Sequence, residues 1–275
     1  GGTGALGKTL VKRYYDSNEI IVLSRDEHKH YYLQKEYPNV HSIIGDVKDK
    51  GSIKNCLLRF TPHIVINAAA LKHVPICEDD PFESVKTNII GHQNVIESVS
   101  EVGYIETKQK NAPKVVLVRY GNVLESTGSV IPFFKSLLEN GSDFLPITHK
   151  DMTRFLLSLN QATDLIDWAY SSEESQGKIA VPKIKSLKVT DVAKCLLTFY
   201  GKEDIPFKYI GMRRGEKLHE EMISEDEWMR TEEHENYLIG TEYLSDDRKS
   251  YNSFDSLMDS SEAFNFLKDN GVVNV

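Results

Sequence analysis

The sequence predicts an α/β protein built on a doubly wound parallel sheet, and three observations support this. Glycines recur in a G-x-x-G-x-x-G pattern over Gly1–Gly7, a helix pattern follows directly, and a strand pattern over Glu19–Arg25 begins about 20 residues further on. Glycine suits such a turn because a Cβ atom would block the close approach of a pyrophosphate, which the helix N-terminus attracts. Alone, the glycine pattern fits a plain turn equally well, and the second strand favours a dinucleotide-binding Rossmann fold.

The end of the second strand indicates which dinucleotide binds. An NAD site usually places a carboxylate there, where it binds the ribose 2′-hydroxyl. Here Ser24 and Arg25 supply a hydroxyl and a guanidinium, which suit a 2′-phosphate. Asp26 and Glu27 follow at once, so a solvated charged turn over residues 25–29 is the alternative. The sequence favours NADP.

Composition excludes several classes of protein. The 275 residues are 40% apolar and 27% charged, which is typical of a globular protein with one large or two interleaved domains. A net charge of −8 without a basic tract argues against nucleic-acid binding, and no apolar stretch reaches the ~20 residues of a membrane span. The scattered Cys56, Cys77 and Cys195 favour free thiols in a reducing cytoplasm, and no metal site is predicted.

The first part of the chain continues in strand–helix order. The predicted elements are a helix over Asp26–Tyr37, a strand over Val40–Ile44, a helix over Lys48–Phe60, a buried strand over Pro62–Ala70, an amphipathic helix over Glu83–Val99 and a strand over Lys114–Val123. Asp46 follows a strand end, where a carboxylate accepts well from an adenine amino group and also caps a following helix. Small residues at 68–70 leave room for a flat ligand.

Two features of this first part are unexpected for the fold. Parallel strands need a crossover of a dozen or more residues, and the segment between Val99 and Lys114 is too short to hold a further strand and helix as well. The first strand of the sheet is expected before Gly1. The sequence therefore predicts that a first strand and a segment near Thr107 are missing from it.

The second part predicts a smaller α/β domain. Helix patterns cover Val130–Leu138, Ala162–Tyr170, Val189–Tyr200 and Ser260–Leu267, and a strand pattern covers Lys178–Pro182. We expect residues 1–147 to form the dinucleotide-binding domain and residues 148–275 to form mainly the substrate-binding domain, with 156–185 returning to the Rossmann sheet.

Several stretches together resemble one family. They occur in the order Gly1–Gly7, Ser24–Glu27, Ala68–Pro75, Lys86–Asn88, Arg119–Val123, Met152–Phe155 and Arg213–Glu220. The chain up to about Ile223 is similar to the inverting UDP-N-acetylglucosamine 4,6-dehydratases, which are extended short-chain dehydrogenases/reductases of nucleotide-sugar biosynthesis. The stretches A-A-A-L-K-H-V-P and G-E-K-L-H-E are its most specific parts.

The resemblance implies two sets of binding residues. The NADP site would include Gly1, Thr3, Gly4, Ala5, Leu6, Gly7, Ser24, Arg25, Asp26, Glu27, His28, Lys29, Asp46, Val47, Ala68, Ala69, Thr87 and Asn88. The UDP-sugar site would include Lys72, Asn122, Val123, Leu124, Glu125, Ser126, Thr127, Val130, Thr148, Arg213 and Glu216. The family also implies a homo-oligomer, a dimer or a hexamer, and a reaction in which hydride leaves sugar C4 and returns to C6 after water is lost.

Simpler roles remain open for some of these residues. Arg213 and Glu216 have the spacing of an ion pair across a helical turn, and Lys72 could belong to a solvated loop. His219 is expected to be structural, because nothing nearby in the sequence marks it as a base.

The family's acid–base residues have no counterpart in this sequence. They lie in a Ser-Thr-Asp-Lys stretch and a Tyr-x-x-x-Lys motif. Tyr104 and Lys108 match the second motif in spacing only, because no strand or Ser/Thr-Asp precedes them. The catalytic Asp, Lys and Tyr are therefore unknown and are expected in the segment missing near Thr107. The alternatives are a nucleotide-sugar epimerase or reductase, and a non-catalytic UDP-sugar-binding relative.

Overall fold

The computed structural model describes residues 1–107, 113–126 and 128–273, with the side chains of 104–107 left aside. The described chain forms two compact units, Gly1–Lys114 and Val115–Val275. The boundary predicted at residue 147 divides the expected cofactor-binding part from the expected substrate-binding part. It stays a prediction. None of the described helices is both long and apolar enough to cross a lipid bilayer.

The first unit begins with the glycine turn and alternates helices with strands. Its elements are α1 (Ala5–Tyr14), β1 (Ile21–Ser24), α2 (Glu27–Glu36), β2 (His41–Ile44), α3 (Lys50–Phe60), α4 (Val74–Asp79), α5 (Pro81–Val85), a π-helical turn (Lys86–Ile90) and α6 (Gly91–Thr107). Strands β1 and β2 pair in parallel, with Ile21 opposite His41 and Ser24 opposite Ile44. The side chains of Val11, Val22 and Leu33 form a small core against them.

The predicted buried strand over Pro62–Ala70 is wrong for the described structure. Residues 62–70 form no strand, and Ile64, Val65 and Ile66 are 54%, 41% and 39% exposed. A parallel strand needs a hydrogen-bonded neighbour and cover on both faces. Among the described residues, the sheet of the first unit has only β1 and β2, and the apolar run at 64–66 has no strand partner and stays exposed.

The single helix predicted over Glu83–Val99 is also wrong in detail. A π-helical turn over Lys86–Ile90 separates α5 from α6. Such turns are rare and occur often at functional sites. This one contains Thr87 and Asn88, two residues of the predicted cofactor site.

The second unit holds four small sheets and five helices among its described residues. Its elements are β3 (Leu117–Val118), β4 (Asn122–Val123), α7 (Val130–Glu139), β5 (Leu145–Ile147), β6 (Thr153–Leu157), α8 (Leu159–Ser171), a 3₁₀ turn (Glu173–Ser175), β7 (Ile179–Val181), β8 (Ser186–Lys188), α9 (Val189–Phe199), β9 (Phe207–Tyr209), β10 (Glu221–Ile223), α10 (Glu225–Trp228), β11 (Thr231–Glu233), β12 (Tyr237–Ile239), β13 (Tyr251–Asn252) and α11 (Ser260–Asp269).

The sheets of the second unit are mixed. Their strand orders are β11-β12-β7-β3, β4-β6-β8, β5-β9 and β10-β13. The pairs β3–β7, β4–β6 and β5–β9 are parallel. Helices α7, α9 and α11 pack around one core, in which Leu138, Leu196 and Leu267 are fully buried.

Two sequence-based boundaries in this unit are corrected. The strand predicted over Lys114–Val123 is divided into β3 and β4 at Gly121, where a Cβ atom would lie 2.5 Å from Cβ of Phe155. Helix α8 begins before the predicted Ala162 because Ser158 and Gln161 form a capping box. The S-x-x-Q pattern marks that start in the sequence.

Candidate functional site

The glycine turn is tightly packed at Gly7 and exposed to solvent at Gly4. The Gly4 N–H donates to the Gly1 carbonyl oxygen at 3.0 Å, and α1 then begins at Ala5 without a side-chain cap. A Cβ atom on Gly7 would lie 2.4 Å from the Gly2 carbonyl, whereas Gly4 is exposed. This arrangement fits a pyrophosphate, since bare backbone at a helix N-terminus is open to an anion.

A buried chain of hydrogen bonds fixes the turn to the second strand. Oγ1 of Thr3 lies 3.0 Å from Oγ of Ser24, which lies 2.8 Å from Nε2 of His30. All three residues are buried. The Ser24 hydroxyl is therefore engaged inside the protein, and the exposed group at this strand end is the guanidinium of Arg25.

Charged residues surround Arg25 on the surface. Its Nη1 lies 3.8 Å from Oδ2 of Asp46, whose Oδ1 accepts a hydrogen bond from the Lys48 N–H at 3.0 Å. Lys48 Nζ also donates to Oε2 of Glu83 at 2.8 Å. Hydrogen bonds from Lys48 and Lys86 lower the pKa of Glu83 to about 2. The sequence suggested that Asp46 caps α3. The cap is instead Asp49, whose side chain accepts a hydrogen bond from the Ser52 N–H.

Further predicted cofactor residues lie at the start of α2 and in the π-helical turn. Asp26 caps α2 by accepting from the Lys29 N–H, and Glu27, His28 and Lys29 are exposed on its first turn. Asn88 holds the segment after the alanines, because its amide accepts from the Leu71 N–H and donates to the Leu71 carbonyl, both at 2.8 Å.

Thr87 and the alanine segment complete this side of the first unit. Thr87 is 3% exposed, and its Oγ1 has no hydrogen-bond partner in the described part of the chain. Val47 is buried against Gly91. Ala68 lies beside the glycine turn, since a Cβ atom on Gly1 would meet its carbonyl oxygen, and Ala69 donates to Oδ1 of Asn67. Lys72, which follows the alanine segment in the sequence, is exposed.

The second unit contains a cluster of one arginine with two carboxylates, which we call the Arg154 cluster (Asn122, Arg154, Glu216 and Glu220). Nη1 of Arg154 donates to the carbonyl oxygens of Thr153 and Leu218, at 2.7 and 3.2 Å. Its Nη2 lies 3.9 Å from Oε1 of Glu216, and its Nε lies 3.6 Å from Oε1 of Glu220. The guanidinium therefore places two carboxylates on one surface.

Arg213 and Glu216 do not form the ion pair that their spacing allowed. Their loop is not helical, and Gly211 and Gly215 adopt positive φ angles of 82° and 74°. The Glu216 carboxylate accepts from the Arg213 backbone N–H at 3.0 Å. The Arg213 guanidinium is exposed and makes no ion pair with any residue that the structure describes.

The Glu220 carboxylate contacts the backbone of β6 as well as Arg154. Its Oε2 accepts from the Phe155 N–H at 3.2 Å. Burial raises the pKa of Glu220, and Arg154, the Phe155 N–H and Lys217 oppose the rise. With its amide nitrogen turned toward this carboxylate, Asn122 donates to Oε1 at 2.8 Å.

His219 is partly buried and takes part in a polar network with two buried residues. Its Nδ1 lies 2.7 Å from Oγ1 of Thr153, which lies 2.7 Å from Oγ of Ser253. The Ser253 hydroxyl also accepts from the Glu220 N–H at 2.7 Å. This network holds the backbone of Glu220 in place.

The other predicted substrate residues lie on or beside β4 and α7. Val123 ends β4, Leu124 and Ser126 are buried, and Val130 begins α7. Glu125 has a positive φ of 54° and pairs with Lys135. The Thr148 hydroxyl contacts Sδ of Met152 at 3.2 Å. Thr127 and Lys108 lie outside the described residues, as does the side chain of Tyr104.

The sequence analysis missed Arg154 and Glu220 as candidate site residues. Both lie inside motifs that carried the family resemblance. The available signal was their type: an arginine within the apolar β6 run, and a glutamate directly before β10. A charged side chain there needs a partner or a function.

Comparison with known proteins places the sequence in a family. A family model described as polysaccharide biosynthesis protein matches residues 1–107 and 101–242. The chain belongs to this family. The chain is 40% identical to the inverting UDP-N-acetylglucosamine 4,6-dehydratase of Campylobacter jejuni over 276 aligned residues, which cover 86% of this chain and 80% of that enzyme.

Two solved structures illustrate the similarity of fold. Pen from Bacillus thuringiensis has a TM-score of 0.86 and 27% identity, covering 99% of this chain and 96% of its own. The dTDP-glucose 4,6-dehydratase DesIV from Streptomyces venezuelae has a TM-score of 0.67 and 17% identity, covering 79% and 85%. The α/β fold predicted from the sequence, that of the extended short-chain dehydrogenases/reductases, is confirmed.

The alignments also show how much of this chain is matched and where the matches lie. The alignment to the Campylobacter enzyme has 276 positions but uses only 86% of a 275-residue chain. The two matches to the family model overlap at residues 101–107. The first observation means that the alignment contains gaps in this chain, and the segment expected near Thr107 stays a prediction.

Proposed function

We propose that this protein is an NADP-dependent UDP-N-acetylglucosamine 4,6-dehydratase that inverts C5 and makes a UDP 4-keto-6-deoxy amino sugar. The observation that carries the proposal is the 40% identity to an enzyme of that name over most of both chains. The glycine turn and the Arg154 cluster supply chemistry that suits the two ligands. The protein would act as a cytoplasmic homo-oligomer, a dimer or a hexamer.

The first unit would hold the cofactor. The pyrophosphate would lie on the N-terminus of α1 above Gly4, where backbone and dipole favour an anion. Arg25 is the exposed cation for a 2′-phosphate, and Asp46 faces the same surface. The unpartnered hydroxyl of Thr87 is available to a bound group. When bound, the nicotinamide supplies hydride chemistry at the sugar.

The second unit would hold the UDP-sugar. Arg213 has an exposed guanidinium free for a diphosphate, because the Glu216 carboxylate bonds to its backbone instead. Asn122 and Glu216 offer groups for hydroxyls or for a uracil edge. The groups that move protons at C4, C5 and C6 would be the Asp, Lys and Tyr expected near Thr107.

The reaction is tested by incubating the purified protein with UDP-N-acetylglucosamine in deuterated water. A dehydratase gives a product that has lost one water and carries deuterium from solvent at C5. An epimerase gives an isomer of unchanged composition. Binding of the substrate without any product indicates the non-catalytic relative.

The substrate site is tested by titrating UDP into Arg213→Ala. We expect UDP affinity to fall by roughly 1.5–3 kcal/mol, the scale of a lost charge-assisted hydrogen bond, while NADP affinity stays unchanged. Arg214→Ala is the matched control, since it removes the neighbouring exposed cation. Equal UDP affinity in both variants and the wild type would remove Arg213 from the site.

The cofactor preference is tested at Arg25. We expect the wild type to bind NADP more tightly than NAD, and Arg25→Ala to reduce the difference by about 1.5–3 kcal/mol. Lys35→Ala, which removes an exposed cation further along α2, should leave the difference unchanged. Wild-type protein with equal affinity for both cofactors contradicts the assignment.

A further inference from the structure

Glu220 is held through its carboxylate and through its backbone. Its Oε2 accepts from the Phe155 N–H at 3.2 Å, and its Oε1 lies 3.6 Å from Nε of Arg154. Its backbone is fixed twice by Ser253, through the bond from the Glu220 N–H to the serine hydroxyl and the bond from the Ser253 N–H to the Glu220 carbonyl, both at 2.7 Å. These contacts restrain the carboxylate beside Asn122.

Asn122 meets this carboxylate with its side-chain amide. With the nitrogen turned inward, Nδ2 lies 2.8 Å from Oε1 and 3.2 Å from Oε2 of Glu220. The reverse orientation would set the amide oxygen against two carboxylate oxygens, and none of the three can donate. The inward side of the amide is thus its donor, and the oxygen Oδ1 is directed away from Glu220.

We propose that Glu220 is a positioning residue that fixes the amide of Asn122 so that Oδ1 accepts a hydrogen bond from an N–H or O–H donor of the nucleotide-sugar. This inference rests on the proposed function, which makes Asn122 a substrate residue. It adds the polarity of the contact: Asn122 offers the ligand an acceptor.

The raised pKa of Glu220 makes this arrangement sensitive to acid. Burial disfavours its charge, while Arg154, Lys217 and the Phe155 N–H favour it. Glu216 is the other carboxylate facing Arg154. Protonated Glu220 would offer an O–H to Asn122, and the amide would then reverse to accept it.

Two variants test the polarity directly. In Glu220→Gln, the single carbonyl oxygen stays with the Phe155 N–H, so the new NH₂ faces Asn122 and turns the Asn122 nitrogen outward. The double variant Asn122→Asp with Glu220→Gln exchanges amide and carboxylate. The aspartate then accepts from the glutamine, presents an oxygen outward, and keeps the wild-type net charge.

We expect Glu220→Gln to weaken UDP-N-acetylglucosamine binding about tenfold, because one hydrogen bond is lost and its groups remain unpaired. The double variant should recover most of that lost affinity. Glu221→Gln, at the exposed neighbour, should bind like the wild type. Wild-type affinity should also fall as the pH drops through the Glu220 pKa, and Glu220→Gln should lack that dependence. Thermal unfolding of each variant checks that it is folded.

The outcomes separate the two levels of inference. Wild-type protein that binds no UDP-N-acetylglucosamine overturns the proposed function and, with it, the role of Glu220. Wild-type binding with equal affinity in Glu220→Gln overturns the positioning role alone. A double variant no tighter than Glu220→Gln also overturns it, because a merely structural loss would not be repaired by the exchange.

Discussion

The two units cover their apolar segments to very different extents. In the second unit, Phe155, Leu196 and Leu238 are fully buried. In the first unit, Ile64 is 54% exposed and Phe82 is 77% exposed. Both units contain runs of β-branched and aromatic residues, so composition does not explain the difference. Strand formation depends on the partner that a segment meets, because β-propensity mainly measures packing against neighbours.

The largest effect that would test this comparison is a pair of truncations. Leu196→Ala should lower the free energy of unfolding by about 2–5 kcal/mol, because it leaves a cavity in a closed core. Ile64→Ala should change it by less than about 0.5 kcal/mol, as for an exposed site. Urea unfolding of both variants measures the two values. A large loss from Ile64→Ala would mean that this segment is covered in solution.

A second, smaller effect concerns backbone packing within the first unit. Gly7→Ala should cost about 1–3 kcal/mol and weaken NADP binding, because its Cβ atom would lie 2.4 Å from the Gly2 backbone. Gly103→Ala is the matched control in α6. A Cβ atom there meets no described atom within 4 Å, and it should stabilise the helix by about 0.5–1 kcal/mol. Thermal unfolding and NADP titration report both effects, and a Gly7→Ala variant with normal affinity contradicts a tight turn.

The sequence predicts four of the five described helices of the second unit because their signals are local. Helix α9 is an apolar-faced run that ends at the predicted place within one residue, and strand β7 lies within the predicted range. The glycine turn and the strand after it are equally local in the first unit. Such patterns need no knowledge of distant residues.

The rest depends on contacts between distant residues. The apolar run at 64–66 has the composition of a buried strand, and only the absence of a paired neighbour in the described chain reveals its exposure. The Arg154 cluster brings together Asn122, Arg154 and Glu220, which lie far apart in the sequence. Ser24 offered a hydroxyl by sequence, but the bonds to Thr3 and His30 that engage it are tertiary.

A final contrast concerns how the units hold their carboxylates. In the first unit, Glu101 pairs with Lys50 and Lys54 on the surface, and these bonds lower its pKa to about 2. In the second unit, Arg119 forms a bidentate pair with Glu227, at 2.8 and 2.9 Å, and also donates to the Met222 carbonyl. Bidentate geometry with partial burial makes the second pair the stronger candidate for a measurable contribution to stability.

The smallest predicted effect isolates the charge of Glu227. Hydrogen bonds from Arg119 lower the pKa of Glu227 from its usual 4.5, so its contribution is present above that pH and is lost as the pH falls through the folded-state pKa. Glu227→Gln keeps the capping box with Ser224 and removes the charge. We expect a loss of about 1 kcal/mol in urea unfolding near pH 7, since Arg119 is partly exposed, and a smaller loss at acidic pH. Glu242→Gln, at an exposed position, is the control and should show no measurable loss. An equal loss from Glu227→Gln at both pH values would mean that the cap and the packing, rather than the ion pair, account for the stability at this position.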